Sequence, residues 1–266
     1  MTKTWMTVLA CAGILCGTAP ARAGTTSGPK AFVLDKLTHH DLVFLGTTHR
    51  QPVILDFLVK LVPRLHDVGV THLAMEIGSD QQQTVEAYLR GEAALSAIQL
   101  HRALECKAYR ALLRSIRDLP SGRRPRMAAI DLPAHFFKLD LNRDQWMASR
   151  LFEIMHGSDR AKILVVLGSV HVLRRLPWQA HRFAGQRSIR AILEQYLPDL
   201  RVASIINVAS RIEKNCDFAR VYGKTGTTVA LDLDPGYDSW ELGPIQCMAL
   251  RPAPVRELVE AVIVHP

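Results

Sequence analysis

The sequence predicts an α/β fold with a mainly parallel central sheet, helices on both faces and the C-terminal strands at the sheet edge. Five apolar runs are continuous rather than alternating with polar residues, which indicates strands buried on both faces. Segments with apolar residues at helical spacing separate these runs. Strand–helix alternation of this kind favours right-handed crossovers between parallel strands.

The elements are predicted in chain order from these patterns. The five strands are Leu42–Gly46, Thr71–Glu76, Arg126–Asp131, Lys162–Gly168 and Arg201–Asn207. A helix starts near Pro52, and Pro63 should kink or interrupt it because proline removes a helical hydrogen bond. Further helices are predicted at about 80–90, 103–118, 143–156 and 186–197. The less regular region after Asn207 predicts two or three strands at the sheet edge.

The N-terminus predicts export. A single lysine precedes an apolar run from Met6 to Leu15, and Ala21-Arg22-Ala23 has the small residues that a signal peptidase requires. The run is shorter than the roughly 20 residues that span a bilayer. We expect a signal peptide at 1–23, an N-terminal segment at 24–39 and a single α/β domain at 40–266. The alternatives are an N-terminal helix of the domain and a lipoprotein modified at Cys11.

Export would place the mature protein in the periplasm or outside the cell, with no stable membrane span. Cys106, Cys216 and Cys247 remain after residue 23, so at most one internal disulfide is expected, and we predict the pair Cys216–Cys247. The chain has no Cys-x-x-Cys, which excludes a thiolate zinc site of that type and a thioredoxin-type centre.

The net charge of the chain is +8, but no basic run is interleaved with aromatic residues. We therefore expect no nucleic-acid partner. The positive balance favours anionic substrates or an anionic surface, with a solvated basic surface as the alternative. Gly-x-Ser-x-Gly, Gly-x-Gly-x-x-Gly and Walker motifs are absent, so a serine-hydrolase elbow and a nucleotide site are not indicated.

Polar residues follow four of the predicted strands where each strand ends. The first strand runs into Gly46-Thr-Thr-His49 and the fourth into Gly168-Ser-Val-His171, while the second and third end at Glu76 and Asp131. Carboxyl ends of parallel strands lie along one edge of a sheet, where ligands bind. We therefore expect two imidazoles and two carboxylates to converge on one cleft. Glycine lets the chain leave each strand sharply before the histidine.

Several segments resemble a known superfamily. They are Leu45-Gly-Thr-Thr-His49, Leu73-Ala-Met-Glu76 followed by Gln81 to Tyr88-Leu89, Arg143-Asp-Gln-Trp-Met-Ala148 and Val166-Leu-Gly-Ser-Val-His171. The superfamily unites ChaN-type haem-binding proteins, Tiki/TraB proteins and erythromycin esterases, and the resemblance covers roughly residues 40–210. It implies an α/β sheet with both histidines and Glu76 in one site. Thr47 stands where ChaN-type proteins commonly carry an acidic residue, as in the Tiki/TraB-like pattern.

Members of this superfamily differ in activity: Tiki proteins are metal-dependent proteases, the esterases open a lactone, and ChaN-type proteins bind haem. The residues themselves leave two chemistries open. His49, Glu76 and His171 are the candidate ligands of one divalent metal ion, which would acidify a bound water for hydrolysis. Alternatively, one histidine acts as general base on water while Glu76 orients it or receives protons.

Arg143 and Asp131 complete the predicted catalytic set of His49, Glu76 and His171. Arg143, near a helix start, is expected to contact a substrate carboxylate or a developing oxyanion, and Asp131 to hold a histidine tautomer. The simpler alternatives are that Asp131 shapes a turn and that Arg143 pairs with a neighbouring acid. Asp144 is equally well explained as a charge that complements the helix dipole.

The first hypothesis for function is therefore an exported hydrolase of the Tiki/esterase kind. It would cleave a peptide, ester or related bond in a small molecule or peptide. The alternative is a periplasmic haem- or iron-binding protein of uptake, like ChaN. The candidate haem ligands are then several histidines and the tyrosines Tyr88, Tyr109, Tyr196, Tyr222 and Tyr237. The second alternative is a non-catalytic family member that scaffolds a partner. The sequence leaves the oligomeric state open.

Overall fold

The structure, a computed structural model, describes residues 28–139, 141–158, 160–176, 185–213, 216–240, 242 and 253–266. Its centre is a seven-stranded sheet. The strands in chain order are β1 (Leu42–Thr47), β2 (His72–Gly78), β3 (Arg126–Asp131), β4 (Ile163–Gly168), β5 (Val202–Ala209), β6 (Val229–Asp232) and β7 (Ala261–His265). Their order across the sheet is β3-β2-β4-β1-β5-β7-β6.

Every neighbouring pair in the sheet is parallel except β6 and β7, which are antiparallel at one edge. The predicted α/β class, the mainly parallel sheet and the C-terminal strands at the sheet edge are thus confirmed. All five apolar runs are strands, displaced by at most two residues at either end. Buried continuous runs specify strand positions well because both faces of each strand need apolar side chains.

The helices alternate with the strands. They are α1 (Pro29–His39), α2 (Pro52–Leu61), α3 (Gln82–Arg90), α4 (Lys107–Arg117), α5 (Arg143–His156), α6 (Ile189–Tyr196), α7 (Asp217–Tyr222) and α8 (Val255–Leu258). The interruption expected at Pro63 is seen, because α2 ends at Leu61 and the chain continues as a 3₁₀ segment, Val62–Val68. Proline lacks the N–H that an α-helix would need there.

The sheet separates two apolar cores. Val43 and Leu45 of β1 face the core formed with α1, α2, α3 and α4, while Leu42 and Phe44 face the core formed with α5, α6, α7 and α8. Side chains alternate across a strand, so a continuous apolar run supplies both cores at once. Helices therefore cover both faces of the sheet, as the sequence predicted.

Helix α1 was not predicted, because its segment was taken as the N-terminal part of the mature chain. Phe32, Val33 and Leu37 of this helix are buried in the same core as α2 and α4. The helix begins at Pro29, which suits a first-turn position. The predicted signal peptide and Cys247, the expected partner of Cys216, lie outside the described residues, so both stay predictions. None of the described helices is both long and apolar enough to cross a bilayer.

One edge of the sheet is β3, and a side chain lies along it. The Gln82 amide donates from Nε2 to the Met127 carbonyl (3.0 Å) and accepts at Oε1 from the Ala129 N–H (2.8 Å). Gln82 thus makes the two hydrogen bonds that a residue of a neighbouring strand would make. The N-terminus of α3 is fixed to the sheet edge by the same contacts.

Candidate active site

The five predicted site residues meet at the carboxyl edge of the four adjacent strands β3, β2, β4 and β1. Asp131 is the last residue of β3, and His49 follows the end of β1 by two residues. His171 lies in the 3₁₀ turn Ser169–Val172 that follows β4. Glu76 lies where the pairing register of β2 with β3 shifts, between Met75 and Gly78. Such irregularities re-aim side chains and often occur beside functional sites.

Gly168 allows His49 to lie directly against the end of β4. A Cβ atom at this position would lie 2.9 Å from His49 Cε1 and 3.4 Å from Glu76 Oε2. The chain reverses after His49 at Arg50, which has φ of 62°. It is the one non-glycine with positive φ in the described part of the chain, and such conformations are frequent at functional sites. The glycine of the second Gly-x-x-His motif thus makes room for the histidine of the first.

Arg143, at the first turn of α5, joins the two carboxylates. Its Nε and Nη2 donate to the two oxygens of Asp131, at 2.8 and 2.7 Å, and Nη2 also donates to Glu76 Oε1 at 2.6 Å. The other oxygen of Glu76 accepts from the Gly168 N–H at 2.7 Å. Both carboxylates are almost completely buried, with 3% of Glu76 and 2% of Asp131 exposed. The guanidinium is thus held in one orientation by charged hydrogen bonds.

Asp131 contacts Arg143 and not a histidine, so the role expected for it is taken by another residue. Asp144 accepts from His171 Nδ1 at 2.5 Å, and both side chains are largely buried. Burial alone would lower the pKa of His171, but the Asp144 carboxylate outweighs this effect and holds that pKa above its usual value. His171 Nε2 then faces Arg143 Nη1 at 3.4 Å.

His49 has the opposite environment. Burial lowers the pKa of His49, and the charges of His171 and Arg143 lower it further, although Glu76 acts against them. Its Nδ1 atom is buried and has no hydrogen-bond partner among the described residues. The site therefore combines a neutral imidazole, His49, with a second imidazole, His171, whose charged form is stabilised. Two titratable groups whose pKa values are pushed apart are typical of acid–base catalysis.

Glu76 is ionised in this arrangement. Burial would raise the pKa of its carboxyl, but the charges of His171 and Arg143 and the Gly168 N–H together lower it. Both oxygens are therefore hydrogen-bond acceptors. The carboxylate contacts the Arg143 guanidinium and lies beside the His49 ring, so it connects the two halves of the site.

The predicted metal set of His49, Glu76 and His171 does not fit a divalent ion as these residues are placed. The two oxygens of Glu76 accept from Arg143 and from Gly168, and Nδ1 of His171 donates to Asp144. The remaining nitrogen of His171 faces a guanidinium, whose positive charge occupies the place that a metal ion would need. Within the described residues, no cluster of three or more His, Cys, Asp or Glu side chains is arranged to hold a metal ion.

The haem-ligand candidates are scattered. Tyr88 and Tyr109 are buried, Tyr196 is exposed on α6, and the hydroxyls of Tyr222 and Tyr237 lie 3.1 Å apart near the opposite edge of the sheet. Of these five tyrosines, Tyr109 is the one that lines a cavity with His49 and Glu76. The haem alternative stays a prediction.

Two further groups border the site. Thr48 donates to Glu213, a largely buried carboxyl that also accepts from the Ala209 N–H at 3.0 Å. Burial raises the pKa of Glu213 to about 7. On the other side, the Phe137 ring lies 5.4 Å from the Arg143 guanidinium carbon. Glu213 thus anchors the loop that carries His49, and the Phe137 ring lies against the Arg143 guanidinium.

Asp144, Glu213 and Phe137 were not predicted as site residues. Asp144 directly follows Arg143 at the start of a helix, where a carboxylate is expected because it complements the helix dipole. The sequence therefore offered no reason to assign it a histidine partner. Its burial, with 8% exposed, is the signal that distinguishes it from an ordinary helix-start carboxylate. Glu213 follows β5, a strand whose end carried no pattern like Gly-x-x-His.

No protein-family model and no curated protein matches the chain. Among solved structures, a succinoglycan biosynthesis protein matches with a TM-score of 0.60 at 10% identity, over 88% of this chain and 89% of that one. An erythromycin esterase, EreC, in its open conformation matches with a TM-score of 0.57 at 13% identity, over 88% and 92%. A ChaN protein of Campylobacter jejuni with cofacial haem has a TM-score of 0.48 at 12% identity, over 87% and 90%.

The first two likenesses extend over nearly the whole of each chain. At these identities they concern the fold and not the activity. The fold implied by the resemblance of the sequence motifs is confirmed: the chain has the α/β fold of the erythromycin esterase and of the succinoglycan biosynthesis protein.

Proposed function

We propose that the protein is a hydrolase that attacks a carbonyl-centred bond, an ester or an amide, with water as the nucleophile. The observation that supports this proposal is the 3.4 Å approach of Arg143 Nη1 to His171 Nε2. An N–H of Arg143 Nη1 points at His171 Nε2, so once His171 is protonated both nitrogens are donors and an acceptor between them is favoured. A carbonyl oxygen placed there accepts from both, and the two charges stabilise it as it becomes an oxyanion.

His49 is the general base of the proposed reaction. As a neutral imidazole it takes a proton from a water molecule while the water oxygen bonds to the carbonyl carbon. The resulting tetrahedral oxyanion is stabilised by Arg143 and His171. When it collapses, the bond to the leaving group breaks and His49 returns the proton to that group. The products are a carboxylic acid and an alcohol or amine, and the enzyme is unchanged.

The remaining charged residues position these groups. Asp144 orients the His171 ring and favours its protonated form through the contact at Nδ1. Asp131 and Glu76 fix the guanidinium so that Nη1 is left for the substrate oxygen, and no carboxylate among the described residues binds Nη1. Such preorganised donors need little rearrangement during the reaction.

The exposed Phe137 ring beside Arg143 offers a place for an apolar substituent on the substrate. Phe137, Leu139 and Leu141 are 38%, 54% and 47% exposed, and they belong to the segment between β3 and α5. Neighbouring exposed apolar side chains at the rim of a site are typical of a binding surface. We therefore propose a small molecule or peptide with an apolar group next to the scissile bond.

The test is a hydrolysis screen with p-nitrophenyl esters and acyl p-nitroanilides that carry short and long acyl chains. We expect activity to fall by about 10²–10⁴-fold in both His49→Ala and His171→Ala. His66→Ala, which changes an exposed histidine of the 3₁₀ segment after α2, is the matched control and should keep full activity. Thermal melts of each variant show whether it folds.

Equal activity in wild type, His49→Ala and His171→Ala would refute the proposal. Inhibition by a metal chelator that added zinc reverses would favour the metal-assisted alternative. Absence of hydrolysis, together with a shifted absorption band when haemin is titrated into the protein, would favour the haem-binding alternative.

We also propose that the protein acts outside the cytoplasm, and the predicted leader at residues 1–23 supports this. Expression of the full chain followed by N-terminal sequencing of the exported protein tests the proposal. A mature N-terminus at Gly24 is expected. Recovery of uncleaved protein from the cytoplasm alone would contradict it.

A further inference from the structure

A cavity of about 10 Å³ lies beside His49, lined by residues at the ends of β1 and β4 and on helices α2 and α4. His49, Glu76 and Tyr109 line it, together with apolar residues that include Leu55 and Leu104. The other polar residues of the lining, Thr47, Thr48 and Arg50, donate to other protein groups. This volume is close to the smallest that holds one water molecule. A water needs two to four polar partners to occupy such a site stably.

Tyr109 is held rigidly in the first turn of α4. Cys106, the N-cap of this helix, accepts from the Tyr109 N–H through Sγ at 3.4 Å, and the ring is 4% exposed within the core. Its hydroxyl is buried without a hydrogen-bond partner among the described residues. Burial and the neighbouring charges of Glu76 and Asp131 raise the pKa of Tyr109, so the hydroxyl keeps its proton. It is therefore a donor, and Tyr109 is one of the residues that line the cavity.

Nδ1 of His49, another residue of the cavity lining, is also buried without a hydrogen-bond partner among the described residues. Leaving two polar atoms buried without hydrogen bonds is costly, so a molecule that bonds to both of them is favoured. Glu76 supplies an acceptor for the hydrogen that such a bridging molecule would donate. Its two oxygens use one contact each for Arg143 and Gly168, and an ionised carboxylate has further lone pairs.

We propose that this cavity binds one water molecule, which accepts from the Tyr109 hydroxyl and from His49 Nδ1–H and donates to Glu76. Tyr109 is then a positioning residue that fixes the tautomer of His49, with the proton on Nδ1 and the lone pair on Nε2. His171 is likewise oriented through Nδ1, which is held directly by the Asp144 carboxylate, while its Nε2 lies 3.4 Å from Arg143 Nη1. The role of this tautomer in catalysis rests on the proposed function, whereas the water site does not.

The test is the ¹⁵N spectrum of the imidazole nitrogens, which distinguishes a protonated from an unprotonated ring nitrogen. The His49 signals are assigned by their loss in His49→Gln. We expect His49 in wild type to carry its proton on Nδ1, and Tyr109→Phe to shift it toward a mixture of tautomers. Tyr88→Phe is the matched control. It removes another buried hydroxyl without a partner, on a ring that lies against Arg117 and away from this cavity.

Unchanged His49 signals in Tyr109→Phe, or an equal change in Tyr88→Phe, would overturn the proposal. So would a crystal structure whose electron density shows no water between Tyr109 and His49. These measurements need no substrate, so their failure is distinct from failure of the hydrolase proposal. If an ester is hydrolysed, we expect Tyr109→Phe to lower kcat by roughly 10- to 100-fold, as for other partners that orient a functional imidazole. KM should change little.

Discussion

Replacing Arg143 with methionine should destabilise the fold, and the loss should depend on pH. The guanidinium is the common partner of Glu76 and Asp131, whose side chains are 4% and 3% exposed. Methionine keeps much of the length and apolar contact of the side chain but removes the charge and its donors. Two buried carboxylates then lose their shared counter-charge.

The expected size follows from this burial. Breaking a buried ion pair by removing one partner costs about 3–5 kcal/mol. The Arg143 side chain is 29% exposed, so water reaches the guanidinium and the lower value, about 3 kcal/mol, applies. For a chain of this size the midpoint of thermal unfolding should fall by roughly 6–12 °C at pH 7.

The pH dependence has a definite sign. In the wild type the pKa of Glu76 lies below its ordinary value of 4.5. Its contribution to stability is therefore present above about pH 4.5 and is lost as the pH falls through the lower folded value. Without Arg143, the pKa of this carboxyl rises, because burial is the largest influence on it and one of the opposing charges is gone. The stability deficit of the variant should thus shrink as the pH falls from 7 toward 4.

Thermal unfolding followed by circular dichroism at pH 7 and pH 4.5 measures both effects. Arg150→Met is the control, because Arg150 lies on the same helix and pairs with Glu153 at the surface, where the two side chains are 37% and 57% exposed. Such a pair contributes about 0–1 kcal/mol. Equal unfolding midpoints for the two variants at pH 7, or a deficit of Arg143→Met that is the same at both pH values, would refute the reasoning.

Three further substitutions and one control substitution test the site. Asp144→Asn should lower the pKa of His171, measured by NMR titration, since burial then acts without the opposing carboxylate. In the wild type the charged His171 ring contributes stability below pH 6.5, and this contribution is lost as the pH rises through its raised pKa. Asp144→Asn should therefore lower the free energy of unfolding by roughly 1.5–3 kcal/mol, most clearly below pH 6.5. Gly168→Ala places a Cβ 2.9 Å from the base histidine, and should cost about 1–3 kcal/mol and abolish hydrolysis. Gly122→Ala is the control: no atom lies within 4 Å of the added Cβ, so stability and hydrolysis should stay unchanged. Wild-type stability should decline by roughly 2–3 kcal/mol between pH 4.5 and about 7 as Glu213 ionises, and unfolding of Glu213→Gln should lack this decline.

The strands and the convergence of His49, Glu76, Asp131 and His171 were predictable, because continuous apolar runs mark strands buried on both faces and parallel strands share a carboxyl edge. The pairing partners were not predictable, because a sequence does not show which carboxylate reaches which base. Asp131 was expected beside a histidine and lies on Arg143 instead.

Groups whose role depends on burial were also missed. The environment of Tyr109 arises from the packing of α4 against the ends of β1 and β4, which are distant in the chain. Glu213 reaches Thr48 across 165 positions of sequence. Helix α1 was missed because small and polar residues precede it and extend into its first residues. Its apolar residues Phe32, Val33 and Leu37 nevertheless form a buried face.

The Gln82 amide also affects whether other protein strands can add to the sheet. The outer edge of a sheet is an open template on which a foreign strand can add, and this is how many proteins begin to form fibres. At β3 the amide already uses the Met127 carbonyl and the Ala129 N–H, so an incoming strand must first displace a side chain that α3 holds in place. One glutamine side chain thereby protects this edge of the sheet against the addition of a further strand.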